Sequence, residues 1–245
     1  MSQRKRERKF AAEVAARIDA QSAAIPALDQ CAAVNRWTPV PNPGLSEEDI
    51  GSVCRVAMGT KSVLDTDKSR RQRFRTRFLE TSHTGPVIPY VQARLLHCYQ
   101  GGAETRDFIV GNACFDIDTI RPPAGFMGSV AAPEDLSVAF CAVPLTVTLP
   151  WVQLIRSLKS WIPGGDSGLG YPDLDAHYTA FCSSREQARR IIDAEVASLV
   201  ATRDDWGLSV IRSSVLLVAF ELLSTGIDSQ ELVAAAIRIA DRMPE

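Results

Sequence analysis

The sequence predicts an α+β fold with an N-terminal helical segment, a central and mainly antiparallel β-sheet, and a C-terminal β-α-β-β-α unit. Three patterns predict it: apolar residues at helical spacing near the start, short runs rich in Val, Phe, Tyr and Thr in the middle, and alternating strand and helix patterns at the end. With 245 residues and 46% hydrophobic content, the chain can bury a core. We expect three regions, 1–35, 36–163 and 171–245, with 36–245 as one domain as the alternative.

The N-terminal region is predicted to be helical from residue 4 to about residue 34, because its apolar residues recur every three or four positions. These residues are Phe10, Val14, Ile18, Ile25, Leu28 and Cys31. A second helix-start signal follows at Ser46-Glu47-Glu48. Residues 53–150 have the pattern of short strands separated by Gly and Pro, and Trp151 to Trp161 that of a short helix.

The C-terminal unit begins with an alternating strand at His177 to Cys182, after which Ser183 or Ser184 can cap a long helix that reaches Leu199. Two β-rich runs follow and predict a hairpin. They are Trp206 to Ile211 and Val215 to Phe220, joined by Arg212-Ser213-Ser214. Asp228 or Ser229 can cap the last helix, which has a buried stripe around Leu232 and Ala236.

The net charge of −2 hides two basic stretches. Residues 4–9 carry five basic groups and one acid, and residues 68–77 carry six basic groups and no acid. Because the overall balance gives no general attraction for a polyanion, such a partner has to contact one of these stretches. No run approaches the roughly 20 apolar residues of a membrane span, and no signal-peptide pattern is present, so we expect a cytoplasmic protein.

The sharpest local pattern is an alternation of arginine with other residues. In a strand, Arg71, Arg73, Arg75 and Arg77 would lie on one face, with Phe74 and Phe78 on the other. Guanidinium groups in such a row match phosphate oxygens, so the pattern predicts a polyanion site. Two alternatives stay open: the solvated face of an ordinary strand, and a helix, since Phe74 and Phe78 are four residues apart.

The other basic stretch contains Arg4, Lys5 and Arg6 and precedes the predicted amphipathic helix. It can contribute to polyanion binding or hold the chain at an anionic membrane surface. The alternative is a solubilising start of the chain.

Metal and cofactor signals are weak. Asp116 and Asp118 flank Ile117 in a predicted strand, where they can share one face and bind a divalent metal with His97 or His177. Two carboxylates at this spacing are also common on the wet face of a strand. The six cysteines form no CxxC pair, so we expect reduced, mostly buried thiols and no cofactor.

Four segments resemble a family of uncharacterised actinobacterial proteins. They are Asn35 to Pro41, Thr84 to Tyr90, Val138 to Pro150, and the ending Ile239-Ala240-Asp241-Arg242-Met243-Pro244. The resemblance covers residues 35–244 and implies the order strand, helix, hairpin, helix at the C-terminus. Many members of that family begin with a membrane helix, and this sequence does not. The family has no established chemistry to carry over.

These patterns favour a non-catalytic, cytoplasmic binding protein whose partner is another protein, with the inner membrane surface as an alternative location. The second hypothesis is a polyanion binder, for nucleic acid or anionic lipid, that uses the arginine-rich segment. The third is a metal-dependent, hydrolase-like enzyme of unrecognised type that uses Asp116 and Asp118.

Overall fold

The structure is a computed structural model that describes residues 27–64, 68, 71–72, 75, 78, 85–88, 92–103, 106–116, 135–156, 168–220 and 229–244. Its helices are α1 (described over 27–35), α2 (Glu47–Leu64), α3 (Pro172–His177), α4 (Arg185–Ile191), α5 (Ala194–Ala201) and α6 (Ser229–Asp241). Its strands are β1 (Thr38–Pro39), β2 (Gln92–Gly102), β3 (Asp107–Asp116), β4 (Asp135–Arg156), β5 (Tyr178–Cys182) and β6 (Trp206–Ala219).

The six strands form one antiparallel sheet in the order β1-β2-β3-β4-β5, and β6 pairs with β4. This arrangement confirms the predicted α+β class and the mainly antiparallel sheet. The sheet takes strands from both 36–163 and 171–245. The domain boundaries themselves stay predictions.

β6 reverses direction within its length. The Phe220 N–H donates to the Asp205 carbonyl at 3.0 Å, although these residues flank a β segment of 14 residues. A straight strand of that length would span about 45 Å, so the chain must turn back. The turn lies at Arg212, which is exposed and has φ of 48°. The predicted hairpin is therefore present.

β4 follows this hairpin along both of its sides. Residues 139–144 of β4 pair with 214–219, and residues 149–154 pair with 208–212. Because each part of β4 is antiparallel to its own hairpin limb, the two parts of β4 run in opposite directions. The exposed Thr146 and Thr148 lie between them, where β4 passes the hairpin turn.

The two faces of the sheet have separate cores. On one face, residues of the strands pack with α3 to α6; this core includes Tyr178, Leu208, Leu217, Leu232 and Ile239. On the other face they pack with α2 and Phe78; this core includes Val56, Phe140, Ile155 and Leu216. Coverage on both faces explains why the second β-rich run of the hairpin is almost entirely apolar.

Three predicted elements are wrong. α2 continues to Leu64, where strands were predicted from residue 53. The part of α2 from Gly51 to Thr60 is buried against the sheet, and its apolar residues were read as short strands. β4 continues to Arg156, where a helix was predicted from Trp151, because residues 152–156 pair with β5. Residues 85–88, which lie in the stretch 53–150 predicted to form short strands, are irregular.

The predicted long helix after Ser184 is two short helices. The Ser184 hydroxyl accepts from the Gln187 N–H and caps α4, which confirms one of the two predicted caps. The Asp193 carboxylate accepts from the N–H groups of Glu195 and Val196 and starts α5. A new cap at Asp193 therefore divides the helix.

The arginine-rich segment is not a strand where the structure describes it. Lys68, Arg71, Gln72, Arg75 and Phe78 are helical. Phe78 is fully buried and anchors this segment against α2 at Gly59, where an added Cβ would lie 3.0 Å from the Phe78 ring. Arg71 and Arg75, four residues apart, are both helical, so their spacing is that of one helical turn and not that of a strand. Arg73, Phe74 and Arg77 lie outside the described residues.

Candidate functional site at the β2 bulge

β2 contains a bulge at His97 and Cys98. Leu96 pairs with Asn112 and Tyr99 with Val110, so β2 has one more residue than β3 between these pairs. His97 takes a left-handed backbone conformation with φ of 47°. Gly111 lies opposite, and a Cβ there would lie 2.6 Å from the Cys98 Sγ. Glycine at this position therefore makes room for the buried Cys98 side chain beneath the bulge.

The bulge brings two side chains of β2 to one carboxylate of α1. The Tyr99 hydroxyl donates to Asp29 Oδ1 at 2.7 Å, and His97 Nδ1 lies 3.3 Å from the same oxygen. Burial, together with the hydrogen bond and negative charge of Asp29, raises the pKa of Tyr99 to about 12. Tyr99 is thus a neutral donor at physiological pH, and Asp29 can hold the imidazole ring through Nδ1.

This cluster is accessible from solvent. The side chains of His97 and Asp29 are 40% and 43% exposed. Leu96, the residue before the bulge, is 39% exposed and is one of two large hydrophobic residues exposed in the described part of the chain; the other is Val34 of α1. We call Asp29, Leu96 and His97 the bulge surface. It combines an apolar side chain, an ionisable pair and a strained backbone position.

Asp116, one of the two predicted metal ligands, lies far from His97 along the sheet, and the pair of Asp116 and Asp118 stays a prediction. Asp116 pairs with Gln92 and with Asp135, five residues along β3 from Gly111, which is opposite the bulge. That separation corresponds to about 17 Å along a strand, so Asp116 and His97 do not share a site. Asp118 lies outside the described residues. Among the side chains that the structure describes, no group of three or more His, Cys, Asp and Glu is placed to hold a metal ion.

The remaining predicted binding residues are only partly described. Arg71 and Arg75 are half-buried and Lys68 is exposed, all in helical conformation. Arg4, Lys5 and Arg6 lie outside the described residues, so their predicted role stays a prediction.

A second polar cluster lies buried between α2 and the sheet. Gln153 Nε2 of β4 lies 2.8 Å from Ser52 Oγ, 2.8 Å from the Pro86 carbonyl and 3.2 Å from Ser209 Oγ. The two serine hydroxyls are 2.5 Å apart. All three side chains are fully buried, and their mutual hydrogen bonds fix α2 and residues 85–88 on the sheet.

Arg55 of α2 is the charged residue of this interface. Its guanidinium donates to the Gly85 carbonyl and lies over the Phe78 and Phe181 rings, at 5.7 and 5.1 Å from the ring centroids. Burial lowers the pKa of Arg55 to about 10, so it still carries its charge near neutral pH. Cation–π contacts and the carbonyl offset part of the cost of burying that charge.

Four of the six thiols are buried like core residues, and Cys31 and Cys182 are half-buried. All six cysteines are free. Burial raises the pKa values of Cys54, Cys98 and Cys141, to about 11 for Cys98. A thiol with a raised pKa is protonated near neutral pH and is a poor nucleophile, so these three residues do not favour a cysteine-based reaction.

Comparisons with known proteins give no family. No family model matches the sequence, and no curated protein matches it. Among solved structures, the mycobacterial trehalose monomycolate transport factor A, TtfA, is a weak neighbour with 14% identity and a TM-score of 0.40. The match covers 79% of this chain and 97% of that one. Similarity at this level supports no functional conclusion. Within the described residues, no helix has the length and apolar character needed to span a membrane.

Proposed function

We propose that this chain is a non-catalytic binding protein and that a partner protein docks on the bulge surface. The observation that carries the proposal is the left-handed backbone of His97 at an exposed bulge. A non-glycine residue in this conformation costs on the order of 1 kcal/mol. Because the His97 side chain is 40% exposed, burial in a core does not offset that cost. Bulges of this kind commonly orient a side chain for an interaction.

The composition of the bulge surface fits a protein partner. Exposed Leu96 supplies an apolar contact, and the adjacent Asp29 and His97 supply polar contacts around it. Protein interfaces commonly combine an apolar centre with a polar rim. Tyr99 and the bulge hold these groups in place without the partner, so little order has to be gained on binding.

Photocrosslinking tests this proposal. A p-benzoylphenylalanine side chain in place of Leu96 is expected to crosslink a specific protein in the native host. The matched control places the same group at Ala234, an exposed position of α6. A product from position 96 that position 234 does not give supports the proposal. Identical products, or none at position 96, contradict it. We expect the partner in the cytoplasm, and recovery of the product with membranes would indicate the inner membrane surface.

The second candidate function is polyanion binding by the basic segment 68–77. It is favoured by the helical spacing of Arg71 and Arg75, which places two guanidinium groups one turn apart, near exposed Lys68. Such groups bind phosphate oxygens of nucleic acid or of anionic lipid.

Salt dependence tests this second candidate. Binding to single-stranded DNA, RNA or anionic vesicles should weaken as salt rises and drop in an Arg71→Ala/Arg75→Ala double variant. Arg190→Ala/Arg238→Ala is the matched control, because both side chains are exposed cations elsewhere on the surface. No binding at low salt, or equal loss in both double variants, rules out the segment as the site.

A further inference from the structure

Within the described part of the chain, β2 has an unpaired edge beside the bulge, which we call the open edge. β1 pairs with β2 through Thr38 and Pro39, and the Val40 N–H donates to the Cys98 carbonyl at 2.8 Å. The chain then leaves the sheet towards α2. Among the described residues, no strand pairs with the outer side of β2 over residues 92–96. With respect to the described strands, their outer backbone groups are therefore unpaired, as at the edge of a sheet.

Prolines protect the neighbouring edge but not this one. Val40 points its N–H at β2, so Pro39, one residue before it, faces away from β2. Pro39 therefore has no N–H to offer on the outer side of β1, and Pro41 and Pro43 follow it. Residues 92–96, Gln-Ala-Arg-Leu-Leu, contain no proline. The contrast indicates that the open edge of β2 is not protected against pairing as β1 is.

We propose that the partner docks by adding an extended segment as a strand alongside residues 92–96. This inference rests on the proposed function and specifies how the partner binds. Exposed Arg94 and Leu96 alternate on one face of β2. The matching strand carries an acidic and an apolar side chain two positions apart, because cross-strand pairs of opposite charge and of apolar groups stabilise a sheet. Backbone hydrogen bonds supply the affinity and these two side chains the specificity.

Two further features favour this edge. The bulge at His97 ends the regular pairing geometry, so the added strand covers about five residues and reaches the bulge surface. β5, at the other end of the sheet order, exposes no large hydrophobic residue among those described. An added strand there would find no exposed large apolar side chain on the described part of β5.

Amide hydrogen exchange with a model peptide tests the inference. The probe is acetyl-Thr-Leu-Thr-Glu-Thr-amide at millimolar concentration, whose Leu and Glu face Leu96 and Arg94 in antiparallel pairing, and the readout is exchange of the amides of residues 92–96 by NMR. We expect alternate amides of this segment to exchange several-fold more slowly with the probe. The effect should decrease when Lys replaces Glu in the peptide, and disappear when the peptide amides that face β2 are N-methylated. The Leu96→Asp chain should show a smaller effect than the Ala234→Asp chain.

The outcomes separate this inference from the proposed function. No change at residues 92–96, or equal binding of the N-methylated peptide, overturns strand addition. If position 96 still gives its specific crosslink, the bulge surface stands as the docking site and the partner binds it through side chains alone. If the crosslink at position 96 is also absent, both docking on the bulge surface and strand addition to β2 are contradicted.

Discussion

Gln153 Nε2 donates to the Pro86 carbonyl at 2.8 Å, which ties the middle of the sheet to a segment 67 residues earlier in the chain. Next to it, Arg55 donates to the Gly85 carbonyl, and the Ile88 N–H donates to the Gly51 carbonyl at 3.3 Å. Residues 85–88 are thus held on α2 and β4 by three hydrogen bonds. This segment lies shortly before β2 in the sequence.

Replacing Gln153 with Leu should destabilise the fold by about 2 kcal/mol, because it removes the amide that donates to the Pro86 carbonyl and to the buried Ser52 hydroxyl. Urea denaturation measures the change in the free energy of unfolding. Gln187→Leu is the matched control, since Gln187 is exposed on α4 and should change stability by less than about 0.5 kcal/mol. Equal effects of the two substitutions would show that the buried cluster contributes nothing specific.

Replacing Arg55 with Ala should cost on the order of 3 kcal/mol, because the variant loses packing on two aromatic rings and the bond to Gly85. The control is Arg212→Ala at the exposed hairpin turn, where the ion pair with Glu48 should be worth less than about 1 kcal/mol. Thermal or urea unfolding of both variants gives the comparison. A loss below 1 kcal/mol for Arg55→Ala would mean that the buried guanidinium is not part of what holds α2.

Sequence patterns predicted the hairpin and the cap at Ser184 because each is a local signal. The buried cluster was not predictable in this way. Ser52 and Ser209 are 157 residues apart, and Ser52 and Gln153 are 101 apart. Nothing local marks these residues as partners. α2 was mistaken for strands because residues 51–60 are all buried and so give no exposed polar face, and short apolar runs fit both structures.

The bulge in β2 could not be predicted from the sequence for a different reason. A residue with a left-handed backbone is usually Gly or Asn, and this identity can be read from the sequence. Here the residue is His97. The one signal in the sequence is Gly111, and its meaning depends on a register with Cys98 that the sequence does not show. For the arginine-rich segment the sequence left strand and helix open, because a period of two fits a strand and the spacing of Phe74 and Phe78 fits a helix. Burial of Phe78 against Gly59 favours the helix.

The stability of variants at His97 tests whether its backbone is left-handed. His97→Val should lose about 1–2 kcal/mol, since a β-branched side chain is poorly tolerated in this region. His97→Asn should stay within about 0.5 kcal/mol of the original chain, because Asn adopts this conformation readily. Chemical denaturation of the pair measures the difference. Equal stability of the two variants would contradict a left-handed backbone at the bulge.

Acid should weaken the contact between α5 and α6. Burial alone would raise the pKa of Asp193, but hydrogen bonds from the Val196 N–H and the Arg242 guanidinium, at 2.9 and 2.6 Å, outweigh it and lower this pKa. A carboxyl with a lowered folded-state pKa adds stability above its ordinary pKa of about 3.9 and loses it as pH falls through the folded value. Stability should therefore fall as the pH drops below about 4.

Asp193→Asn isolates that contribution, because Asn keeps the helix cap but lacks the charge that pairs with Arg242. The variant should be less stable than the original chain at pH 7, and the difference should shrink towards pH 2. Glu186→Gln, which removes the charge of an exposed pair with Arg190, is the control and should change little at either pH. A constant difference from pH 7 to pH 2 would contradict the linkage.

The most direct test of the central claim is the affinity of the purified crosslinked partner for three chains. Leu96→Asp places a charge on the bulge surface and should weaken binding at least tenfold, equivalent to about 1.4 kcal/mol. Ala234→Asp, at the exposed α6 position, should bind like the original chain. Unchanged affinity for Leu96→Asp, or equal weakening in both variants, would contradict the bulge surface as the docking site.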